Sequence, residues 1–259
     1  KIFFFTNYAV LVYYFLYFIN LDKKYNKIAI ALHSGVFNLS IKRILGSFLF
    51  SIFAIRLDHI IFGSDSSKEW WLNLFPWLNS IDNKVIFNGI EIQNRKKRIK
   101  KIFKISFIGR LESENDPELF LKLALLNNNK KNMKFNVFGD GILKEKFENK
   151  YKAIKFWGWT DPKKIYANTD VCIITSPLNN FPYVALESNS YGIPVITAAR
   201  GDIRKIVKNN YNGYIFKERT VKNFDIFLNK SIKNYKKLSK NSFNNAKKFE
   251  VIKSCQKIW

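Results

Sequence analysis

Ten short apolar runs recur along the chain: "IFFF" (2–5), "KIAIAL" (27–32), "HIIFG" (59–63), "KVIF" (84–87), "KISFI" (104–108), "KFNVF" (134–138), "IKFW" (154–157), "VCIIT" (171–175), "PVIT" (194–197) and "GYIF" (213–216). They are rich in Ile, Val and Phe, and none alternates strictly between polar and apolar residues. A strand wetted on one side alternates, whereas a strand covered on both faces does not. The segments between the runs are long enough for crossover helices. The pattern predicts an α/β chain of doubly wound type, with parallel sheets covered on both sides.

One break in composition divides the series. "IEIQNRKKRIKKIFK" (90–104) carries seven Lys or Arg and no apolar period before Ile102. It reads as a basic linker, residues 92–100, between an incomplete first unit (1–91, four strands) and a second unit (101–259, six strands). A chain of 259 residues has room for two medium domains. The last forty residues read as two or three Lys-rich surface helices.

Two cysteines, Cys172 and Cys255, with no CxxC spacing exclude a disulfide scaffold and a cysteine zinc site and suit a reducing cytoplasm. The formal net charge of +24 has two readings. One is a basic face for nucleic acid or an anionic membrane. The other is the Lys, Asn, Ile and Phe bias of an AT-rich genome, which the even spread of lysine along the chain favours. Residues 1–20 also have two readings: a membrane span or signal segment, or a buried strand and helix of an α/β core. The chain begins at Lys1 and its only methionine is Met133, so it is expected to be part of a longer protein.

In open α/β sheets ligands bind beyond the carboxyl ends of the strands. The residues just after each run are therefore informative. Gly109-Arg110 follows "KISFI", Gly139-Asp140-Gly141 follows "KFNVF", and Gly158-Trp159-Thr160 follows "IKFW". "VCIIT" leads into "SPLNNFPYVALESNSYGIPVI" (176–196), and in the first unit His33 follows "KIAIAL". Glycine and small polar residues thus collect on one edge of each unit. Pro182 suits the first turn of a helix, whose free N–H groups and dipole attract an anion. Side chains on a helix tilt toward its N-terminus, so Glu187 can reach toward that mouth and accept hydrogen bonds from a ribose diol. Arg110 can supply a fixed cation to a phosphate. Together these describe a nucleotide-diphosphate pocket. Taken singly, the same residues have plainer readings: Arg110 a surface arginine, Glu187 a helix acid paired with a lysine, "GDG" a turn, His33 a structural histidine. His59 reads as packing, and Trp70, Trp71 and Trp77 as core or inter-domain packing rather than a binding platform.

The ordered set "FIGRLESENDPELFLKLA", "FNVFGDG" and "IKFWGWTDPKKIYANTDVCIITSPLNNFPYVALESNSYGIPVITAARGDIRKIVKNNYNGYIF" resembles the second domain of a GT-B glycosyltransferase of the family 4 type. "IALHSG" and "DHIIFGSDSSKEW…KVIFNGIEI" resemble the later part of its first domain. The resemblance implies two Rossmann-like domains with the active site between them. It implies sugar transfer from a nucleotide-diphosphate sugar with retention and no metal. The acceptor would be a glycan or lipid-linked molecule in cell-envelope polysaccharide synthesis. By the same resemblance, Arg110 binds the donor diphosphate beside Gly109 and the 181–183 helix mouth (Phe181, Pro182, Tyr183). Glu187 binds ribose, and His33 lies near sugar and acceptor. Gly139, Gly141 and the backbone at Gly158 and Trp159 line the nucleotide side.

Two positions depart from the family pattern. Asn179 stands where the first of two acids is expected, and Asn115 where a second phosphate cation is expected. The family's opening strand and Gly-rich loop are not present in this chain. These departures keep a non-catalytic nucleotide-sugar binder in view, and the charge keeps a basic membrane-surface or nucleic-acid protein in view, although the family implies no nucleic acid. The expected location is the cytoplasm, with peripheral contact at the inner face of an anionic membrane.

Overall fold

The computed structural model describes residues 2–4, 27–32, 41–55, 57–93, 101–179 and 181–252. His33, most of the apolar N-terminal stretch, residues 94–100 of the basic linker and Cys255 lie outside them. The chain divides into two compact units, one drawn from Lys1–Asn88 and the other from Gly89–Lys253.

The first unit holds a four-stranded sheet in the order β1-β2-β3-β4, with β1 Ile2–Phe4, β2 Lys27–Leu32, β3 His59–Phe62 and β4 Asp82–Val85. Every neighbouring pair is parallel. Helix α1 (Ile41–Ala54) connects β2 to β3, and α2 (Asp65–Leu74) connects β3 to β4. The Ser64 hydroxyl caps α2 by accepting a hydrogen bond from the Ser67 N–H at 3.1 Å, which satisfies one of the open donors of the first turn. The core of this unit is Phe50, Ile60, Phe62, Trp71 and Leu78.

Trp71 packs edge-on against Phe50 and Trp70, as a core residue should. Trp77 is different: it is part-exposed and its indole donates to the Ser51 carbonyl at 3.1 Å. The reading of His59 as packing is corrected. His59 opens β3, and its Nδ1 lies 2.7 Å from the Asp82 carboxylate on β4. The run "KVIF" becomes a strand two residues early, because Asp82–Val85 is the stretch in register with His59–Phe62.

The second unit holds six strands: β5 Phe103–Ile108, β6 Met133–Phe138, β7 Lys155–Phe156, β8 Val171–Ile174, β9 Val195–Thr197 and β10 Gly213–Ile215. Their order is β10-β9-β8-β5-β6-β7, and all pairs are parallel. This is the doubly wound arrangement, starting in the middle and growing to both sides. Every residue of β8 is buried, which accounts for the missing alternation in "VCII". Ile105, Val137, Val171 and Ile196 form the sheet part of the core, and Phe120, Leu121, Phe224 and Leu228 cover it from the helices.

Five connecting helices follow the strands: α3 Pro117–Leu126, α4 Lys144–Lys150, α5 Pro162–Ala167, α6 Tyr183–Ser190 and α7 Ile203–Ile206. The Lys-rich tail forms α8 (Val221–Lys233), capped by Thr220, and α9 (Tyr235–Ala246). The chain then returns to the start of the unit. Ile90 donates its N–H to the Phe249 carbonyl at 2.7 Å, and the Val251 N–H donates to the Ile90 carbonyl at 3.1 Å.

Candidate nucleotide-binding site

Strand order reverses between β5 and β8. The chain leaving β5 crosses toward β6 on one side, and the chain leaving β8 crosses toward β9 on the other. Their loops part and leave a crevice at the carboxyl edge. A recess of about 100 Å³ lies there, with Gly109 and Asn115 on the β5 side and Thr175, Ser176, Asn179 and Pro182 on the β8 side. That is room for about three water molecules, the scale of a charged group rather than a whole nucleotide.

Backbone contacts set the shape of the edge. Gly139 has φ +123°, and a Cβ there would overlap the Gly109 carbonyl oxygen. A Cβ on Gly141 would stand 2.6 Å from the Leu111 oxygen. The "GDG" turn is therefore glycine because two strand-end loops touch main chain to main chain, and not only because it turns. Leu111 donates to the Asp140 carbonyl at 2.8 Å. The Asp140 carboxyl is held below its ordinary range, first by the Gly141 N–H and then by Lys144.

Asn115 lines the recess. Its side-chain amide donates to the Arg110 carbonyl at 2.9 Å, and its own carbonyl accepts from the Thr175 hydroxyl at 2.8 Å. Where the family pattern has a lysine, this residue instead ties the β5 loop to the end of β8. Arg110 itself is not on the recess wall. Its side chain is 68% exposed and pairs with Glu112 at 2.9 Å and Glu114 at 3.8 Å. The expected phosphate cation sits on the right edge with its charge turned to two acids of its own loop.

The β8 loop carries the other candidates. The Asn179 amide donates to the Ser176 hydroxyl. Its N–H donates to the Arg200 carbonyl at 2.9 Å, which joins this loop to the one after β9. Phe181 has φ +69° and is buried, its ring packed 5.5 Å from that of Phe249. Its side chain therefore faces the interior of the unit, leaving the main chain at the helix mouth. Pro182 is the N-cap, one residue before its expected place, and α6 opens at Tyr183.

Glu187 does not line the recess. Its Oε2 accepts the Tyr166 hydroxyl at 2.5 Å, and no cation pairs with it among the described residues, so its pairing with a lysine is corrected. Tyr166 lies in α5 and stacks on Tyr191, with ring centroids 4.7 Å apart. Burial, and then the Glu187 charge, raise the Tyr166 hydroxyl well above its usual pKa. The phenol thus stays a donor, orienting one carboxylate oxygen and leaving Oε1 for another partner. Beneath this cluster Cys172 is pushed up to about 12 by burial, which makes it an inert core thiol. Trp159, after β7, is 83% exposed.

Two residues of the edge escaped the sequence reading. Tyr166 could have been sought as the partner that a part-buried acid requires. Arg219, beyond β10, donates from Nε to the Thr175 carbonyl at 3.2 Å and pairs with the Asp116 carboxylate. It reaches the β5–β8 edge from the far side of the sheet, and its only sequence signal was its position just after the last apolar run. Among the described residues no three His, Cys, Asp or Glu side chains gather as metal ligands.

A doubly wound unit with a polar crevice at its switch point and a helix mouth beside it has the architecture on which nucleotide-binding α/β domains are built. The comparisons narrow that class. The profile of the glycosyl transferases group 1 family matches residues 89–249, and the chain belongs to that family. A 41.2 kDa protein from the cps region of Klebsiella pneumoniae is 25% identical over 180 residues, 63% of this chain and 49% of that protein. The Escherichia coli UDP-Gal:alpha-D-GlcNAc-diphosphoundecaprenol alpha-1,3-galactosyltransferase is 26% identical over 164 residues, 54% of this chain and 42% of that one. The chain spans about half the length of the curated relatives it matches. The crystal structure of Anabaena Alr3699/HepE in complex with UDP has a TM-score of 0.77 at 19% identity, over 98% of this chain and 75% of that one. The α/β class is thus the one expected, with parallel sheets in both units and glycosyltransferases of GT-B type as its structural neighbours.

Proposed function

We propose that this chain is part of a retaining glycosyltransferase of the family 4 type. It would move a sugar from a nucleotide-diphosphate sugar to a lipid-linked or glycan acceptor in envelope polysaccharide assembly, at the cytoplasmic side of the membrane. The observation that carries the reading is the recess at the β5–β8 reversal, walled by Gly109, Asn115, Thr175 and Pro182. Uridine is the expected base, because a relative is named for UDP-Gal and the HepE structures hold UDP and UDP-glucose.

In this reading the diphosphate takes the recess and the opening of α6, and the base lies toward the exposed Trp159. The ribose hydroxyls donate to the free oxygen of Glu187, whose other oxygen Tyr166 holds. Arg110 exchanges Glu112 and Glu114 for phosphate when the donor binds. As the bond from the anomeric carbon to the diphosphate oxygen breaks, its electron pair passes to the diphosphate. Fixed N–H groups and cations stabilise that charge where it grows. The acceptor hydroxyl bonds to the same face of the carbon and gives its proton to the departing diphosphate. Glu187 positions the donor without acid–base work, and no metal takes part.

The test is a thermal melt with UDP, GDP, ADP and their sugars, on the wild-type chain and on Glu187→Ala. One nucleotide should raise the melting temperature of the wild type, and the shift should shrink in the variant. A ligand at about a hundred times its Kd adds roughly 2.7 kcal/mol, well within reach of the measurement. A folded chain that responds to no nucleotide overturns the reading. A nucleotide shift with no sugar transfer to any acceptor would instead favour the non-catalytic binder that Asn115 and Asn179 suggest.

A further inference from the structure

In a chain with a net charge of +24, Glu187 has tyrosines rather than lysines for neighbours. Tyr183 and Tyr191 stand four residues before and after it, as the first residue of α6 and its C-cap, and so share its helix face. Burial first, and then the Glu187 charge, raise the phenols of both. Tyr166 brings a third ring from α5 and is the one that bonds the acid, its hydroxyl donating to Oε2 at 2.5 Å. No described residue donates to Oε1.

The place of the Tyr166 hydroxyl is set without help from Glu187. Its side chain is only 1% exposed, and its ring lies 4.7 Å from that of Tyr191 with the planes 20° apart. The helix that carries it is fixed at both ends. The Asp161 carboxylate accepts the Lys163 N–H at 2.9 Å. The Thr169 hydroxyl bonds the Ile165 carbonyl and the Ser106 hydroxyl of β5, each at 2.8 Å. A phenylalanine would supply the same packing without the bond to the acid. A loose glutamate has to be ordered by its ligand, whereas one clamped by a charge-assisted hydrogen bond is ordered beforehand. The clamp takes Oε2 and leaves Oε1, whose lone pairs can accept two donors. The adjacent hydroxyls of a ribose offer two, and a 2′-deoxyribose offers one.

We infer that Tyr166 is a positioning residue that makes the site selective for ribonucleotides over 2′-deoxyribonucleotides, by holding Glu187 through Oε2 so that Oε1 meets the ribose diol. The inference rests on the proposed function, in which Glu187 takes the ribose of the donor.

The test is titration calorimetry of the full chain with UDP and with 2′-deoxy-UDP. The variants are Tyr166→Phe, Glu187→Ala, the two combined, and Glu187→Asp, with a melting curve for each. The wild type should prefer UDP by about tenfold, the worth of one hydrogen bond to a charged group. Tyr166→Phe should weaken UDP by about as much and 2′-deoxy-UDP by less, so that the preference shrinks. In the Glu187→Ala background the same change should have no further effect, because the two residues act as a unit. Glu187→Asp keeps the charge but is one methylene too short to meet phenol and ribose together. It should lose the preference as well, which tests the clamp with Tyr166 intact. An unchanged preference in Tyr166→Phe or in Glu187→Asp overturns the inference. So does an equal loss for both nucleotides that persists in the Glu187→Ala background, since that is the mark of a packing defect. A wild type that binds both nucleotides equally well overturns this inference and leaves the nucleotide site standing. A folded wild type that binds neither overturns the proposed function, and this inference with it.

Discussion

Gly139 shows what a single residue holds at this site. Its missing Cβ lets the turn after β6 lie on the Gly109 carbonyl, and Gly109 is a wall of the recess. Gly139→Ala should cost about 2 kcal/mol or more, from strain at a positive φ and a backbone clash that no rotamer relieves. A chemical-denaturation midpoint reads the loss, and an unchanged midpoint would show that the two loops part freely. The glycines were legible as an edge feature, because turns after parallel strands collect there. Their purpose was not, because the partner atom is thirty residues away on a neighbouring strand. Arg110 teaches the opposite lesson. Its two partners lie within the next four residues of "GRLESE", so its resting contacts were readable and were passed over in favour of the phosphate it was expected to hold.

At the scale of elements, all ten apolar runs are strands, displaced by no more than two residues at their ends. Central strands such as β8 and β9 were legible because they are buried throughout and leave no polar period to confuse with a surface helix, whereas β4 and β7, at the sheet margins, have no buried residue. Strand order was not legible from the runs alone, and the contacts that depend on order were lost with it. Arg219 follows β10 at one margin of the sheet, yet it binds the end of β8 and the Asp116 carboxylate that precedes α3. It therefore clasps both loops of the recess from behind. Arg219→Ala should cost about 1–2 kcal/mol of stability after allowance for its part-exposed position, seen as a modest fall in melting temperature, and should weaken nucleotide binding by a larger factor. Arg219→Lys should recover little, since one ammonium cannot span both acceptors as a guanidinium does. Titration calorimetry with UDP beside a melting curve separates the two effects. Equal losses in stability and affinity would make the clasp merely structural.

For the whole molecule, composition was the poorest guide. The charge of +24 includes many lysines of the surface helices α8 and α9. The basic stretch at 90–104 read as a linker from composition alone, and Ile90 at its start is tied by hydrogen bonds to Phe249 and Val251 within the second unit. The two hydrophobic cores share no residue: one draws on Phe50 to Val85 and the other on Phe103 to Ile232. A unit of that size buries roughly two-thirds of its unfolded surface, enough for a core that stands alone. Residues 89–253, expressed without the first unit, should therefore fold cooperatively and keep the nucleotide-dependent rise in melting temperature, since every described wall of the recess lies within them. A fragment that folds but no longer answers to nucleotide would mean that the first unit completes the pocket. A fragment that does not fold would show that the two cores, though separate, are not independent in stability.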